Sequence, residues 1–586
     1  MKNIFNNNKV NNQNNPNKTL IQAIDEFLRR ISNLIAIAGS IFAIFVLLMQ
    51  VRQISIYNFY IYNYDKIINI ITICFVFILI DQIRIAPRKL YIVVPIIQLI
   101  GLLLLNFFSR KYYDVYANRI IWTIAGSILF FLVIVINWLR LSYSKFTLYQ
   151  MIIASFIFVI TLGSLLLYLP LSTVTGKLSF VDALFTATSA VCVTGLSVID
   201  ISKEFTLFGQ IVLISLIQIG GLGIMSISAI VLLFSISKGS VQDRVRTLEM
   251  FNTQNKDIIQ STIKVIFLST FLIELLGAVS LFTVMDTNDR LGMRIFSSVF
   301  HSISAFCNAG FSLYTDNLHQ YSANVVVNVT IMLLITLGGI GYPVMLTVTR
   351  AIVNKIKGQR YVFDVQARIV IFTSILLIVA GSAFIFFNEY SNSLKDLPLK
   401  EKILVSLFQS VSPRTAGFET IAYNSMSSVT IGVVIFLMFV GASPNSTGGG
   451  VKTTTLFVFI FSVITAIFNR PYIVVNGRKI KDDTVNKSVA IVTLAITISV
   501  LASFIMFYIE KSNSMMPILF EAVSAISTVG LSLGITPTVT VWSKLILIVL
   551  MFIGRVGYLT LFMSIGSINK GKYGIIDLPT GEVTIG

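Results

Sequence analysis

The feature that most constrains this chain is a short, half-polar segment that occurs four times between long apolar stretches. The copies read FTATSAVCVTGLSVID (185–200), FHSISAFCNAGFSLYTD (300–316), FQSVSPRTAGFETI (408–421) and FEAVSAISTVGLSLGIT (520–536). Their glycines, Gly195, Gly310, Gly417 and Gly530, are spaced by 115, 107 and 113 residues. Each copy begins with Phe and carries Ser four residues later, although the third copy is one residue shorter before its glycine. Such a period is typical of an internal repeat.

Composition places these repeats in a membrane. Of the 586 residues 55% are hydrophobic and only 12% are charged, about half of the usual ~25%. Charged side chains are costly in lipid, so the scarcity predicts a polytopic membrane protein, excludes a cytosolic globular enzyme and argues against a secreted one. The net charge of +18 comes from Lys and Arg that gather in short loops between apolar spans, as in cytoplasmic loops. The charge therefore does not indicate nucleic-acid binding.

Each repeated segment can form a helix of about a dozen residues, too short for a bilayer core of about 30 Å. Irregular backbone at membrane depth survives only where it is buried or lines a water-filled path. Four re-entrant segments in one chain predict a pseudo-fourfold ring, in which carbonyl groups replace the water around a cation. The alternative is a set of glycine packing motifs between helices, but the fourfold repetition favours the ring.

Four further motifs accompany the repeats: QIGGLGIM (218–225), GGIGYPV (338–344), GASPNSTGGGVKTTT (441–455) and MFIGRVGYLTL (551–561). Together they resemble the Trk/Ktr/HKT superfamily of potassium transporters, and within it the KtrB subunits, over residues 149–586. The resemblance implies an all-α polytopic membrane protein with four outer-helix, pore-helix, inner-helix repeats around one ion pore. Glycine at all four filter positions goes with potassium permeation in this superfamily, and sodium stays open as a coupling or activating ion. The implied filter residues are Val193, Thr194, Gly195, Asn308, Ala309, Gly310, Thr415, Ala416, Gly417, Thr528, Val529 and Gly530.

The chain is thereby divided into seven regions. No function is assigned to the amino-terminal membrane extension, whose spans lie near 31–50, 66–86, 90–108 and 119–139. None of these spans carries Arg or Lys at every third position, which argues against a voltage sensor. The regions are a disordered cytoplasmic tail (1–28), the four-helix extension (29–145), pore repeats 1 (146–240), 2 (241–355), 3 (356–470) and 4 (471–570), and a cytoplasmic carboxyl-terminal tail (571–586).

Residues 441–455 interrupt an apolar stretch of the third repeat with Pro, Gly, Ser and Thr. A nucleotide-binding loop would need Gly directly before Lys, whereas Val451 separates Gly450 from Lys452. Two interpretations stay open: a helix break that relieves strain, or a mobile loop that blocks the ion path. The resemblance implies the second, a gate that contains Gly448, Gly449, Gly450 and Lys452.

Arg555 lies in an apolar inner helix predicted over 543–566, where an arginine that faced lipid would be costly. It is expected to face the pore or a partner, either as a barrier to cations or in a structural pair, and the resemblance supports the barrier within the gate. Glu274 is predicted to be a structural partner, and Cys192 and Cys307 to pack behind the filter. His301 is expected to start a pore helix as a capping or packing residue.

The tail at 572–586 resembles the KtrB carboxyl terminus. This implies a homodimer and a cytosolic nucleotide-binding regulatory ring like KtrA, unless the tail is merely frayed. We expect a multi-pass protein of a bacterial plasma membrane, in contact with lipid, with both termini cytoplasmic. Neither an organic cofactor nor a nucleic-acid partner is predicted. Two alternatives are a sodium-selective or non-selective HKT-like channel and, from another class, a lipid-modifying enzyme or scaffold. No nucleophile–base pair or carboxylate cluster supports the enzyme.

Overall fold

The computed structural model divides the chain into two compact units, Met1–Lys145 and Phe146–Gly586, and describes residues of the second. The predicted regions 1–28, 29–145 and 571–586 lie outside the described residues. The described residues are 148–238, 256–285, 291–359, 363–475, 477–511, 514–558 and 560–561.

The described residues form helices in a pattern that repeats four times. The first repeat contains α1 (Leu148–Tyr168), α2 (Phe180–Val191), α3 (Ile201–Glu204) and α4 (Leu207–Lys238). The second contains α5 (Lys256–Phe282), α6 (Leu291–Phe306), α7 (Val325–Ile340) and α8 (Tyr342–Ile356). The third contains α9 (Val365–Glu389), α10 (Leu399–Val411), α11 (Ser428–Phe439) and α12 (Thr453–Ile467). After the antiparallel strands β1 (Val474–Val475) and β2 (Arg478–Lys479), the fourth contains α13 (Asp482–Ile509), α14 (Met515–Ile526) and α15 (Val541–Val556).

The short helices confirm the expectation drawn from the repeated segments. Helices α2, α10 and α14 have 12 or 13 residues and α6 has 16, so none of the four is long enough to cross a bilayer. The four phenylalanines that begin the repeated segments are fully buried in them. These helices, called pore helices here, are therefore the centre of each repeat rather than its surface. The phenylalanines are Phe185, Phe300, Phe408 and Phe520.

The four repeats close into a ring through helix packing. Helix α4 packs on the second pore helix α6, α7 packs on the third pore helix α10, and α11 packs on the fourth pore helix α14. The last helix, α15, returns to pack on the first pore helix α2. Each inner helix thus contacts the pore helix of the next repeat, and the fourth contact closes the ring.

The outer helices α5, α9 and α13 expose apolar side chains. Leu275, Leu376 and Ile505 are each more than half exposed, with similar neighbours along the same helices. A large apolar surface of this kind is typical of a protein that contacts lipid. Among the described helices, α9 and α13 are long and apolar enough to cross a membrane as single helices.

The inner helices are interrupted in every repeat, whereas the sequence predicted an interruption only in the third. Helix α4 contains Gly223 with a φ of +61°, α7 and α8 meet at Gly341 with a bend of 106°, and α15 ends before Gly557, whose φ is +92°. The predicted helix over 543–566 is therefore wrong, because α15 stops at Val556. A backbone with positive φ cannot continue a right-handed helix, and glycine adopts it without steric cost.

Candidate functional site

The four repeated glycines meet in a closed ring. All four have positive φ, from +71° to +98°. A Cβ atom on Gly195 would lie 2.5 Å from the carbonyl oxygen of Ala309, the residue before the next glycine. The same relation joins Gly310 to Ala416 at 2.6 Å and Gly417 to Val529 at 2.5 Å. Gly530 returns to the Thr194 carbonyl, so the ring closes in chain order.

The segment that leads to each glycine has an alternating backbone. The residue two positions before each glycine also has positive φ, between +51° and +69°, although it is not glycine, and the residue between them does not. Left-handed backbone at a non-glycine residue is strained and persists only where the surroundings hold it. Alternation of this kind directs successive carbonyl groups toward one side of the segment. The four strained residues are Val193, Asn308, Thr415 and Thr528.

The repeated serines are the groups that hold this backbone. The amide nitrogen of Gly195 donates to Ser189 Oγ at 3.1 Å, and that of Gly530 donates to Ser524 Oγ at 3.1 Å. In the other two repeats the hydroxyl group donates instead, from Ser304 to the Phe311 carbonyl at 2.8 Å and from Ser412 to the Phe418 carbonyl. The serine four residues after each phenylalanine is visible in the sequence, but its hydrogen bonds are visible only in the structure.

A cavity of about 550 Å³ opens on one side of the ring. All four glycines line it, together with residues of the loops that follow them. Asp200 and Glu419 bring carboxylate groups to the same cavity, and Ser532 and Thr536 bring hydroxyl groups. This cavity, called the vestibule here, is a polar and partly acidic space that favours cations.

The ends of the pore helices pack directly against glycines of the inner helices. Gly220, Gly338 and Gly554 approach the carbonyl oxygens of the last residues of α2, α6 and α14 so closely that a Cβ atom would overlap them. These glycines lie in three of the motifs that accompany the repeats. Each of them stands three residues before the glycine with positive φ at which the inner helix is interrupted. This recurring pair of glycines is the sequence feature that could have predicted the interruptions.

The segment 441–455 lies on the side of the ring opposite to the vestibule. The Gly449 amide donates to Thr528 Oγ1 at 3.1 Å, and Thr447 Oγ1 donates to the Phe306 carbonyl at 3.2 Å. Gly448 lies against the Thr415 side chain. The segment therefore contacts the residues two positions before Gly417 and Gly530 and the end of the second pore helix α6.

Two cationic side chains hold this segment. Arg555 is buried in the last turn of α15, where the helix carbonyls favour a cation. Its guanidinium donates to the Thr447 carbonyl and to the Gly220 carbonyl of α4. Lys452 Nζ donates to the Gly448 carbonyl at 2.7 Å, within the segment itself.

Four other residues singled out in the sequence, one acidic, two cysteines and one histidine, are all buried. The Glu274 carboxylate accepts from the Gln218 amide at 3.1 and 3.2 Å, which confirms it as a structural partner. Cys192 and Cys307 are buried, and Cys307 packs against Gly221 of α4. The expectation that His301 starts a pore helix is wrong, since α6 begins ten residues earlier at Leu291. His301 is a buried packing residue within that helix.

Comparisons with known proteins agree with this architecture. The chain is 38% identical to the Ktr system potassium uptake protein B of Bacillus subtilis over 77% of its length and 98% of that protein. It is 33% identical to the potassium/sodium uptake protein NtpJ of Enterococcus hirae over 71% of its length and 92% of that protein. The crystal structure of the potassium transporter TrkH from Vibrio parahaemolyticus has the same fold, with a TM-score of 0.59 at 18% identity over 80% of this chain and 95% of that one.

The family described as TrkH, cation transport protein, matches residues 122–569. This match begins before the expected 149–586 and reaches the last predicted span of the amino-terminal extension, near 119–139. The matched family consists of transport proteins and not of enzymes, as the sequence predicted. The chain therefore belongs to the TrkH family of cation transport proteins, as a KtrB-like member of the Trk/Ktr group.

Proposed function

We propose that this protein takes up potassium across the plasma membrane through a selectivity filter formed by the four re-entrant segments. The observation that carries the proposal is the closed ring of Gly195, Gly310, Gly417 and Gly530, in which each glycine lies against the carbonyl that precedes the next one. Rings of carbonyl groups can replace the hydration shell of a potassium ion. The four pore helices end at the ring, and their negative ends favour a cation there.

Potassium is the preferred ion for two reasons. All four filter positions carry glycine, so that no side chain narrows the ring or alters its carbonyl geometry. The relatives from Bacillus subtilis and Vibrio alginolyticus are named potassium uptake proteins. The similarity to this chain extends over 98% and 90% of their lengths. The filter residues proposed are the four triplets that end in these glycines.

The segment 441–455 is proposed as the gate. It is hydrogen-bonded to Thr528 of the filter and to the end of the second pore helix, on the side opposite to the vestibule, so ions that leave the ring meet it next. Gly448, Gly449 and Gly450 give it a backbone that can change conformation. Arg555 donates hydrogen bonds to Thr447 of the segment and to Gly220 of α4, and so places a positive charge beside the path. Displacement of the segment opens the path.

Several parts of the proposal depend on partners. A homodimer and a cytosolic nucleotide-binding ring of the KtrA kind would control the gate, as the name "Ktr system" of the relatives suggests. The vestibule would then face the outside and both termini the cytoplasm. Sodium would act as a coupling or activating ion.

The test is potassium uptake by the intact chain and by a chain that lacks residues 442–450, in cells without their own uptake systems. The ends of this loop are already adjacent, because Gly441 N donates to the Val451 carbonyl at 2.9 Å. Because Val440 and Val451 pair in parallel, a short glycine linker replaces the excised residues and lets the chain turn from α11 into α12. We expect uptake by the intact chain and faster, unregulated uptake after excision. If neither protein moves monovalent cations with a regulatory ring present, although both reach the membrane, the proposal is wrong.

A sodium-selective or non-selective channel is the second candidate. It is favoured by one observation, that the Enterococcus hirae relative is named a potassium/sodium uptake protein. Competition between potassium and sodium in the same cells separates the two functions. Uptake of sodium that potassium does not suppress would support the second candidate.

A further inference from the structure

One position of the repeat carries a different polar side chain in each pore helix. It directly follows the buried phenylalanine, and its occupants are Thr186, His301, Gln409 and Glu521. All four are fully buried. A polar group buried in this way needs a hydrogen-bonding partner, and the partners show what the position does.

Glu521 bonds to the loop that follows the fourth filter segment. Its carboxylate accepts from Ser532 Oγ at 2.5 Å and from Thr536 Oγ1 at 2.8 Å, and these two hydroxyl groups lie 3.0 Å apart. No Lys, Arg or His of the described part of the chain forms an ion pair with Glu521. The carboxylate is therefore held by the loop alone, and it holds the loop in return.

The second and third repeats use the same position for the same purpose. His301 Nε2 lies 3.0 Å from Ser312 Oγ, and its ring stacks on Tyr314 at 4.9 Å between centroids. Gln409 Nε2 donates to the Ile421 carbonyl at 2.8 Å. These are again residues of the loops after the filter. The first repeat differs, because Thr186 donates to a carbonyl of its own helix.

The bonds of Glu521 and His301 end in the wall of the vestibule. Ser532 and Thr536 line the vestibule beside Gly530, and Ser312 lines it two residues after Gly310. The serines at the ends of the pore helices bond to the glycine itself or to the residue after it, whereas this position bonds to the loop farther along the chain. In the second, third and fourth repeats, the two sets of bonds together limit the movement of the chain that leaves the ring.

We propose that Glu521 is a positioning residue for ion selection: it braces the loop 532–536 and thereby fixes the carbonyl ring at Gly530. His301 and Gln409 brace the equivalent loops of the second and third repeats. This inference rests on the proposed function of the ring as a potassium filter. Glu521 acts through the loop and does not itself contact the ion.

The test compares Glu521→Leu, which removes both bonds at similar volume, with Glu521→Gln, whose amide can still accept one of the two hydroxyl bonds. Potassium uptake and its competition by sodium are measured at matched membrane abundance. For Glu521→Leu we expect KM for potassium to rise about tenfold, the factor that corresponds to about 1.4 kcal/mol. The maximal rate should change less, discrimination against sodium should fall, and Glu521→Gln should be intermediate.

The control is Glu510→Gln, the same substitution in the same repeat. Glu510 also accepts from a threonine, through Thr540 Oγ1 at 2.7 Å, but Thr540 does not line the vestibule, whereas the Glu521 partners Ser532 and Thr536 do. Its KM and ion preference should stay at the values of the unmodified protein. Wild-type KM and discrimination in Glu521→Leu would overturn the inference. So would equal losses in Glu521→Leu and Glu521→Gln.

A second route avoids any folding defect of the Glu521 variants. Thr536→Val removes one partner from the side of the loop and keeps the volume, so KM should rise in the same direction by a smaller factor. Combined with Glu521→Leu it should add less than it does alone, because the bond that the two residues share is already lost and only the bond from Thr536 to Ser532 remains to be removed. Full additivity would refute the brace. If Gly310→Ser changes the ion preference and Glu521→Leu does not, only the role of Glu521 is refuted. If the intact chain takes up no monovalent cation, the filter assignment itself is refuted.

Discussion

Replacement of Gly310 by serine is expected to raise sodium permeation relative to potassium. The backbone at Gly310 has a φ of +71°, and a Cβ atom there would lie 2.6 Å from the Ala416 carbonyl oxygen and 2.8 Å from Gly417 Cα. Ordinary contacts begin at 3.4 Å, so the third filter segment must retreat by about 0.8 Å. The left-handed backbone adds about 1–2 kcal/mol.

The retreat moves the Ala416 carbonyl, one of the four that Gly310 and its equivalents contact around the ring. A loss of about 1.4 kcal/mol in the preference for potassium corresponds to a tenfold change in the ratio of the two ions. We therefore expect the potassium-to-sodium ratio to fall by about tenfold in competition uptake at equal membrane abundance.

Gly358→Ser is the matched control. Gly358 has almost the same φ, +70°, but nothing lies within 4 Å of the position of a Cβ atom there. It therefore carries the backbone strain without the overlap. An unchanged ion ratio in Gly310→Ser would refute the filter assignment. A similar change in both variants would refute the steric argument.

Three further predictions concern the gate, the serines and the vestibule. Arg555→Gln removes two hydrogen bonds from a charged donor, each worth about 1.5–3 kcal/mol, so uptake without a regulatory partner should rise at least about tenfold; uptake at the original rate would contradict this. Ser524→Ala leaves the half-buried Gly530 amide without its side-chain acceptor, at a cost of up to about 1–3 kcal/mol, and should lower both thermal stability and the potassium-to-sodium ratio; an unaltered ratio would contradict the role of Ser524 in holding Gly530. Asp200→Asn should raise KM for potassium about twofold at low ionic strength, with the difference lost at high salt because surface charges are screened. Burial raises the pKa of Asp200, but hydrogen bonds from Ser202, Lys203 and Thr315 together outweigh burial and lower the pKa below the ordinary 3.8. The carboxylate thus stays ionised, and its contribution should hold from neutral pH down to about pH 5 and vanish only in stronger acid; loss of the difference near pH 6 would contradict the assignment.

The fourfold plan could be predicted from the sequence because it rests on local patterns. Short segments that cannot cross a bilayer, each with a buried phenylalanine and a glycine at a near-constant period, are visible in one dimension. The positive φ of Gly195 and its equivalents follows from residue type and position. The glycine-rich loop at 441–455 was also visible, since a break in an apolar stretch is a local property.

The tertiary structure decided what these elements contact. Arg555 reaches the Thr447 carbonyl across 108 residues of chain and the Gly220 carbonyl across 335, and no local pattern encodes such separations. The close contact of Gly554 with the last carbonyl of α14 likewise joins two separate helices. The braces at Glu521 and His301 became visible only when the loops folded back on their pore helices. The sequence by itself determined which residues could form a cation-binding ring, and the tertiary structure decided what holds that ring in place, because the holding contacts join segments that are distant in the chain.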